Sequence, residues 1–175
     1  MVVMGDCKNK EALVEQLMQT YALELKHIAF LYVNDLTESE DIVQEVFLSC
    51  YKKLDDFRQE ASYKTWLIRM TINKCKDYKK RWNVRNLLYF AWVTPRESMP
   101  SAESLHLEEV GVEKIVSAIA KLPSKYKDVI ILYYYEEMKM QEISDVLEVP
   151  ASTVKSRVKR AKELLGERLG GDVVE

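Results

Sequence analysis

The chain has 175 residues, 47% apolar and 31% charged, and its 26 Lys and Arg stand against 28 Asp and Glu for a net charge of −2. That composition excludes a disordered polypeptide and describes a folded, soluble chain of one domain or two small ones. Five glycines are too few for a phosphate loop or dinucleotide turn, and the two histidines (His27, His106) and three cysteines (Cys7, Cys50, Cys75) fall at no metal-ligand spacing, so neither a nucleotide cofactor nor a metal is expected.

The apolar residues recur with helical period from the start. Leu13, Leu17, Tyr21, Leu25, Ile28 and Tyr32 predict one amphipathic helix. Asn34-Asp35-Leu36 reads as a break, and Thr37 to Glu40 as a capping box with Thr37 at the N-cap. The second helix then carries Val43, Val46, Phe47, Cys50, Leu54 and Phe57 on one face. A loop, about 58–61, precedes a third helix capped by Ser62 and expected to end near Trp82. Residues 94–108, with Pro95, Pro100 and several serines and acids, read as a flexible linker. Beyond it, Val112, Ile115, Val116, Ile119 and Leu122 predict another helix. Pro123 punctuates, and an apolar helix is expected from Ser124 to about Glu137, followed by two shorter ones over about 139–147 and 151–168. No segment alternates with the two-residue period of a strand. The expectation is an all-α protein of two small helical domains, 10–90 and 110–170, joined by a linker over 91–109.

An odd cysteine count and the lack of a signal core at the N-terminus fit the reducing cytosol. The longest apolar runs, Leu87–Val93 and Val129–Tyr135, have seven residues, where a membrane span needs about 20.

Charge distribution says more than net charge. Residues 1–56 carry net −6, whereas 57–90 carry 9 basic and 2 acidic side chains. Residues 151–162 carry 5 basic and no acidic ones. A charge run is ordinarily a solvated helix face, but two basic islands in a near-neutral chain also form the electrostatic footprint of nucleic-acid binding.

Position within a motif favours the second reading. Residues 139–160 fit a helix-turn-helix. Ile143 and Leu147 lie one turn apart, Ser144 is small where the second helix approaches, and Val149 enters from the turn. Pro150 stops the first helix, Ser152 is placed to cap the second, and Val154 and Val158 bury one side of it. Ser152, Thr153, Lys155, Ser156, Arg157, Lys159 and Arg160 are then left to face a groove. Glu148 stands where a glycine usually takes a left-handed conformation, at a cost of roughly 1 kcal/mol.

Two other faces are candidates. On the second helix, over about 41–54, Asp41, Gln44, Glu45, Leu48 and Lys52 recur opposite the apolar side, as a protein-docking strip would. In the loop and third helix, over about 57–82, Arg69, Asn73, Lys76 and Lys80 form a narrow stripe suited to a phosphate backbone, with Asn73 able to read a base. Lys74 falls inside the apolar arc of Leu67, Met70, Thr71, Cys75 and Tyr78, and has to snorkel. Phe57, Tyr63 and Trp66 can stack on unpaired bases, although aromatics at this spacing are more often core.

Together these pieces resemble the extracytoplasmic-function (ECF) sigma factors of bacterial RNA polymerase. The matching strings are Glu40-Asp41-Ile42-Val43-Gln44-Glu45-Val46-Phe47, Thr65-Trp66-Leu67, Arg69 through Asn73 to Asp77, Leu122-Pro123, and Val149-Pro150 followed by Thr153-Val154-Lys155-Ser156-Arg157. The likeness covers about residues 10–168. It implies a sigma-2-like domain whose strip of Asp41, Gln44, Glu45, Leu48 and Lys52 docks on core polymerase. It implies that Arg58, Tyr63, Lys64, Arg69, Asn73, Lys76 and Lys80 melt and hold the minus-ten promoter element. It implies a sigma-4-like domain that reads the minus-thirty-five element through Ser152 to Arg160, a linker threaded through polymerase channels, and commonly an anti-sigma factor, often membrane-anchored. Such a protein is cytoplasmic, nucleoid-associated in the holoenzyme, and held at the inner face of the membrane if its anti-sigma factor is anchored there. It binds no small-molecule substrate. A stand-alone helix-turn-helix repressor would leave the docking strip unexplained, an enzyme lacks any convergent acid, base or nucleophile, and a structural adaptor has no feature of its own. Cys50 on the docking helix reads as a buried, inert thiol rather than a redox sensor.

Overall fold

A computed structural model describes residues 4–57, 61–92 and 110–170. Among these the chain is helical and contains no strand. Helices α1 (Met4–Val33), α2 (Leu36–Lys53) and α3 (Tyr63–Trp92) form an N-terminal unit, with a 3-10 turn at Leu54–Asp56. Helices α4 (Val110–Ala120), α5 (Ser124–Ile130), α6 (Met140–Leu147) and α7 (Ala151–Leu169) form the second.

The expected stripe of α1 is largely its core face. Val14, Leu17, Leu25, Ile28, Ala29 and Tyr32 are buried against Ile42, Val43, Val46, Phe47 and Cys50 of α2 and Leu67, Ile68, Ile72 and Cys75 of α3. Burying each such side chain contributes about 1.5–3 kcal/mol. The core continues without a break into Leu122, Val129 to Leu132, Ile143, Val146, Val154 and Val158. The two units therefore pack on each other, α1 against α4 and α3 against α6.

Several boundaries differ from expectation. Asp35, not Thr37, caps α2: its carboxylate accepts from the Glu38 amide at 3.0 Å, so the helix begins at Leu36. The chain reverses at Asn34 alone, whose φ of 56° suits an asparagine. Ser62 does cap α3, accepting from the Thr65 amide at 3.1 Å. That helix runs ten residues beyond Trp82, to Trp92, because no proline interrupts it before Pro95. It thereby takes up the first two residues of the expected linker, 91–109. The rest of that segment, the Leu87–Val93 side chains and the side chain of Val112 lie outside the described residues. On α4, Ala118 is buried and Ile119 partly so, but Ile115 is 39% exposed rather than core.

The helix expected from Ser124 to Glu137 is divided. After Ile130 it widens into a π-helical turn, Ile131–Tyr135, where the Glu136 amide donates to the Ile131 carbonyl at 3.1 Å. The extra residue re-aims the side chains beyond it, as π-turns do: Ile131 and Leu132 stay in the core while Tyr134 and Tyr135 emerge.

The helix-turn-helix forms as read. Glu148 takes the left-handed conformation, φ 55° and ψ 44°. Ser144 does more than leave room, since its hydroxyl donates to the Val149 carbonyl at 2.7 Å and ties the turn shut. Ser152 is not the cap of α7. Pro150 holds that position, and its carbonyl accepts from the Thr153 and Val154 amides at 2.8 and 3.1 Å.

Candidate nucleic-acid interface

The outer face of α2 is open. Asp41, Gln44, Leu48 and Lys52 are exposed, Leu48 by 61%, a large value for a leucine flanked by polar groups. Glu45 is half-buried and accepts from Lys74 at 3.0 Å. This is where the snorkelling lysine goes, and the pair ties the strip to α3. On the opposite face Cys50 is buried, with its thiol pushed up to about 11 by desolvation, and Cys75 is pushed up to about 12. Neither is a thiolate at neutral pH.

At the start of α3, Phe57 is stacked between Tyr63 and Trp66, at centroid distances of 4.8 and 4.6 Å. One face of Tyr63 is thus already occupied. Arg58 lies outside the described residues.

The stripe read from α3 is contiguous, but most of it is not open. Arg69 donates to the Glu148 carboxylate at 2.9 Å and to the Asp145 carbonyl at 2.5 Å. Lys76 pairs with Asp128 at 2.6 Å, and Lys64 bridges Glu24 at 2.5 Å and Glu136 at 3.1 Å. Asn73 is exposed at the rim of a 110 Å³ cavity that it shares with Arg69, Lys76 and Glu148. Lys80 is solvated, 3.8 Å from Asp77 of its own helix.

Of those acids Asp128, Glu136 and Glu148 come from the second unit, and sequence reading missed them because residues 114–150 tally as near-neutral; Glu24 belongs to α1 and Asp77 to α3 itself. Asp128 is 3% exposed, and the Tyr32 hydroxyl donates to it at 2.5 Å. Its neighbour Lys127 is also buried and donates to the Ala120 carbonyl at 2.6 Å; burial and the nearby Lys79 hold its ammonium down to about 7. Burial, reinforced by the neighbouring Glu24 carboxylate, raises the Glu136 carboxyl to about 7. His27 Nδ1 and the Tyr135 hydroxyl lie 2.8 Å apart. A Lys-Asp pair inside the apolar stretch Tyr126–Tyr135 was the available signal.

The basic face of α7 is open. Ser152, Lys155, Ser156, Lys159 and Arg160 are exposed, and Thr153 and Arg157 are half-buried. Thr153, Ser156, Arg157 and Arg160 line a 350 Å³ groove together with Lys125 and Tyr126 of α5, two residues the sequence reading did not single out. Arg160 is paired within its own helix, with Glu163 at 2.8 Å. Among the described residues no group of His, Cys, Asp and Glu is placed to hold a metal, and no helix is long and apolar enough to cross a membrane.

This arrangement of two helical units matches known families. Residues 17–84 match the model of sigma-70 region 2, and residues 112–165 that of sigma-70 region 4. The ECF RNA polymerase sigma factor SigW of Bacillus subtilis is 28% identical over 164 residues, covering 87% of each chain. The ECF sigma-E factor of Escherichia coli K12 is 28% identical over 138 residues, covering 74% of this chain and 72% of that one. The chain belongs to the ECF sigma factors. It is an alternative sigma factor that directs promoter-specific transcription. Solved structures share the fold of this sigma factor. RpoE of Bartonella quintana, in complex with the anti-sigma factor NepR, superposes with TM-score 0.72 at 21% identity, covering 91% of this chain and 98% of that one. CnrH, in complex with the cytosolic domain of CnrY, gives 0.69 at 24% identity, with 95% and 94% covered.

Proposed function

We propose that the N-terminal unit, 10–90, fastens this sigma factor to core RNA polymerase through Asp41, Gln44, Glu45, Leu48 and Lys52 and engages the minus-ten element through the loop and basic face of α3. The C-terminal unit, 110–170, reads the minus-thirty-five element with α7, and residues 91–109 connect the two. The observation that carries this reading is the open basic groove on the second helix of a helix-turn-helix, set beside an N-terminal unit with an exposed acidic and apolar strip. Within the groove, Ser152, Thr153, Lys155, Ser156 and Arg157 are nearest the start of α7, where base edges are met, and Lys159 and Arg160 follow toward phosphates. Lys125, which stands 4.9 Å from the Tyr126 ring, adds a second basic arm to that groove.

The mechanism is binding rather than catalysis, and the polymerase performs the phosphodiester chemistry. Extruding a base from the duplex costs a few kcal/mol. Charge contacts from Lys64, Arg69, Lys76 and Lys80, and capture of a base by Asn73 or Tyr63, offset it. The setting is the cytoplasm, at the nucleoid when in holoenzyme. An anti-sigma partner is supported by the fold shared with RpoE, solved with NepR, and with CnrH, solved with the cytosolic domain of CnrY. A membrane-anchored partner of this kind would hold the protein at the inner face of the membrane.

In vitro transcription with core polymerase and a promoter library tests the reading: the protein is expected to redirect initiation to a defined set of start sites. Asp41→Arg with Leu48→Asp changes only exposed side chains, so polymerase association should be lost while the fold is kept. Retained association would remove the docking assignment.

A further inference from the structure

At one corner of the molecule a single ammonium stands between two carboxylates. Lys64 of α3 donates to Glu24 of α1 at 2.5 Å and lies 3.1 Å from Glu136, at the end of the π-turn. The Glu136 side chain is 1% exposed, and beyond that ion-pair approach neither of its oxygens accepts a hydrogen bond. With both carboxyls ionised, two negative charges would share one positive charge out of water, and a buried acceptor would lack a donor. One proton removes both defects, because it cancels the excess charge and supplies the missing donor.

The other titratable and charged groups at this corner are engaged elsewhere. His27, one turn along α1 from Glu24, has its Nδ1 2.8 Å from the Tyr135 hydroxyl. Burial, together with Glu136 and Glu24, pushes that phenol up, so it stays neutral. Glu137 is exposed, Glu142 of α6 accepts from the Lys139 amide at 2.7 Å, and Lys162 of α7 stands 5.6 Å from the Tyr134 ring.

We propose that Glu24, Lys64 and Glu136 form a proton switch: one proton shared between the two carboxyls holds the end of the π-turn against α1 and α3, and its loss in alkaline surroundings loosens that contact.

The energetics and the backbone both support it. Burial and the Glu24 carboxylate raise the Glu136 carboxyl to about 7, so the proton is exchanged near neutrality. The assembled corner binds it more tightly than a solvated Glu136 does. The contact therefore has this contribution in full below the ordinary glutamate range and loses it as pH rises through about 7. Against burial, its two glutamate partners raise Lys64, so the ammonium stays charged and the event is confined to the carboxyls. The segment that responds is already irregular. The Glu136 amide closes the π-turn on the Ile131 carbonyl at 3.1 Å, and Glu137 follows in a left-handed conformation, φ 52°. That segment carries the exposed Tyr134 and Tyr135, so the switch acts on an aromatic surface.

The test follows the full chain, labelled with carbon-13 at its glutamate carboxyls, by NMR from about pH 5 to about pH 9. Hydrogen exchange over residues 131–138 is measured in parallel. In wild type one glutamate should titrate near pH 7. Protection of the segment, corrected for the intrinsic pH dependence of exchange, should fall about tenfold between about pH 6 and about pH 8. Glu136→Gln keeps the shape of the protonated form, so it should abolish that titration and hold protection at its acid level throughout. Lys127, held down to about 7 by burial and Lys79, titrates with the opposite sign and is present in both proteins, so their difference isolates Glu136. Glu24→Gln removes the like charge and should move the titration to lower pH, which gives a second reading if Glu136→Gln fails to fold. Glu137→Gln, at the exposed neighbour, should behave as wild type. Absence of a glutamate titrating near neutrality, or one that survives Glu136→Gln, overturns the proposal. An unmoved midpoint in Glu24→Gln overturns the sharing, and protection that stays constant across neutrality overturns the switch.

Discussion

The basic faces of α3 and α7 look equivalent in sequence, and the folded protein treats them oppositely. On α7 Lys155, Lys159 and Arg160 stay in solvent, and among the described residues the acids paired with its cations, Glu163 and Glu167, belong to the same helix and meet Arg160. On α3, Arg69 and Lys76 are met by Glu148 and Asp128 of the other unit, and nearby Lys64 by Glu136. A basic island is thus a statement about capacity. Whether it is available to a polyanion depends on which acids the fold brings to it, and here one basic face is presented while the other is held.

The comparison breaks most visibly at Asp128. Asp128→Ala would leave Lys76 and the Tyr32 hydroxyl without their shared acceptor in a buried place, at a cost of about 3 kcal/mol. A thermal melt should fall by roughly 10 °C. Glu163→Ala on the open face should change the same melt by less than about 0.5 kcal/mol. Equal effects at the two sites would mean that the two faces are not held differently.

At α7, Arg157→Ala or Lys155→Ala should cost about 1–3 kcal/mol of upstream-element recognition if either side chain reads a base, with the melt unchanged. Fluorescence anisotropy across base-substituted elements measures this. A loss uniform over all sequences would assign the side chain to phosphate.

Acidity acts on the covered face. Glu136 is raised to about 7 by burial and by Glu24, with Lys64 opposite it. The folded form therefore binds that proton more tightly than the unfolded one. Folding has this contribution in full below the ordinary glutamate range and loses it as pH rises through about 7. Lys127, held down to about 7 by burial and by Lys79, works the other way: its contribution is present at high pH and is lost as pH falls from the ordinary lysine range toward 7. Burial alone would lower Lys64, but its hydrogen bond to Glu24 and its ion pair with Glu136 outweigh that and raise it, so it stays charged throughout. Melts from about pH 5 to about pH 9 should show a minimum near neutrality, with neither limb steeper than about 1.4 kcal/mol per pH unit. Glu136→Gln should flatten the acid limb only.

The smallest effect is expected at Glu148. Glycine there relieves about 1 kcal/mol of backbone strain and removes a mostly exposed ion pair worth about 0.5 kcal/mol, so stability should move by less than about 1 kcal/mol. A larger drop in a denaturant titration would show that the pair contributes more to stability than its exposure allows.

Much of the candidate site could be read in the chain itself. The core stripes of α1 and α2, the position of the helix-turn-helix, the left-handed residue at Glu148 and the outward strip on α2 all follow from spacing. Errors arose where two local signals competed. Thr37 and Asp35 are both good caps, and only the backbone shows that the Asp35 carboxylate meets the Glu38 amide. Ser152 resembles a cap, but Pro150 already starts α7. The π-turn at Ile131–Tyr135 has no periodic signature, because one extra residue in a turn leaves the apolar composition unchanged.

The sequence by itself determined the helices, their buried faces and the two basic islands, because helical period and charge count are properties of residues a few positions apart. Only the tertiary structure decided which island is free. The hydrogen bonds that join the two units link residues 76 to 108 positions apart. Electrostatic attraction depends on distance through space, so a chain that reads as near-neutral over 114–150 can still place three of its acids against the cations of α3.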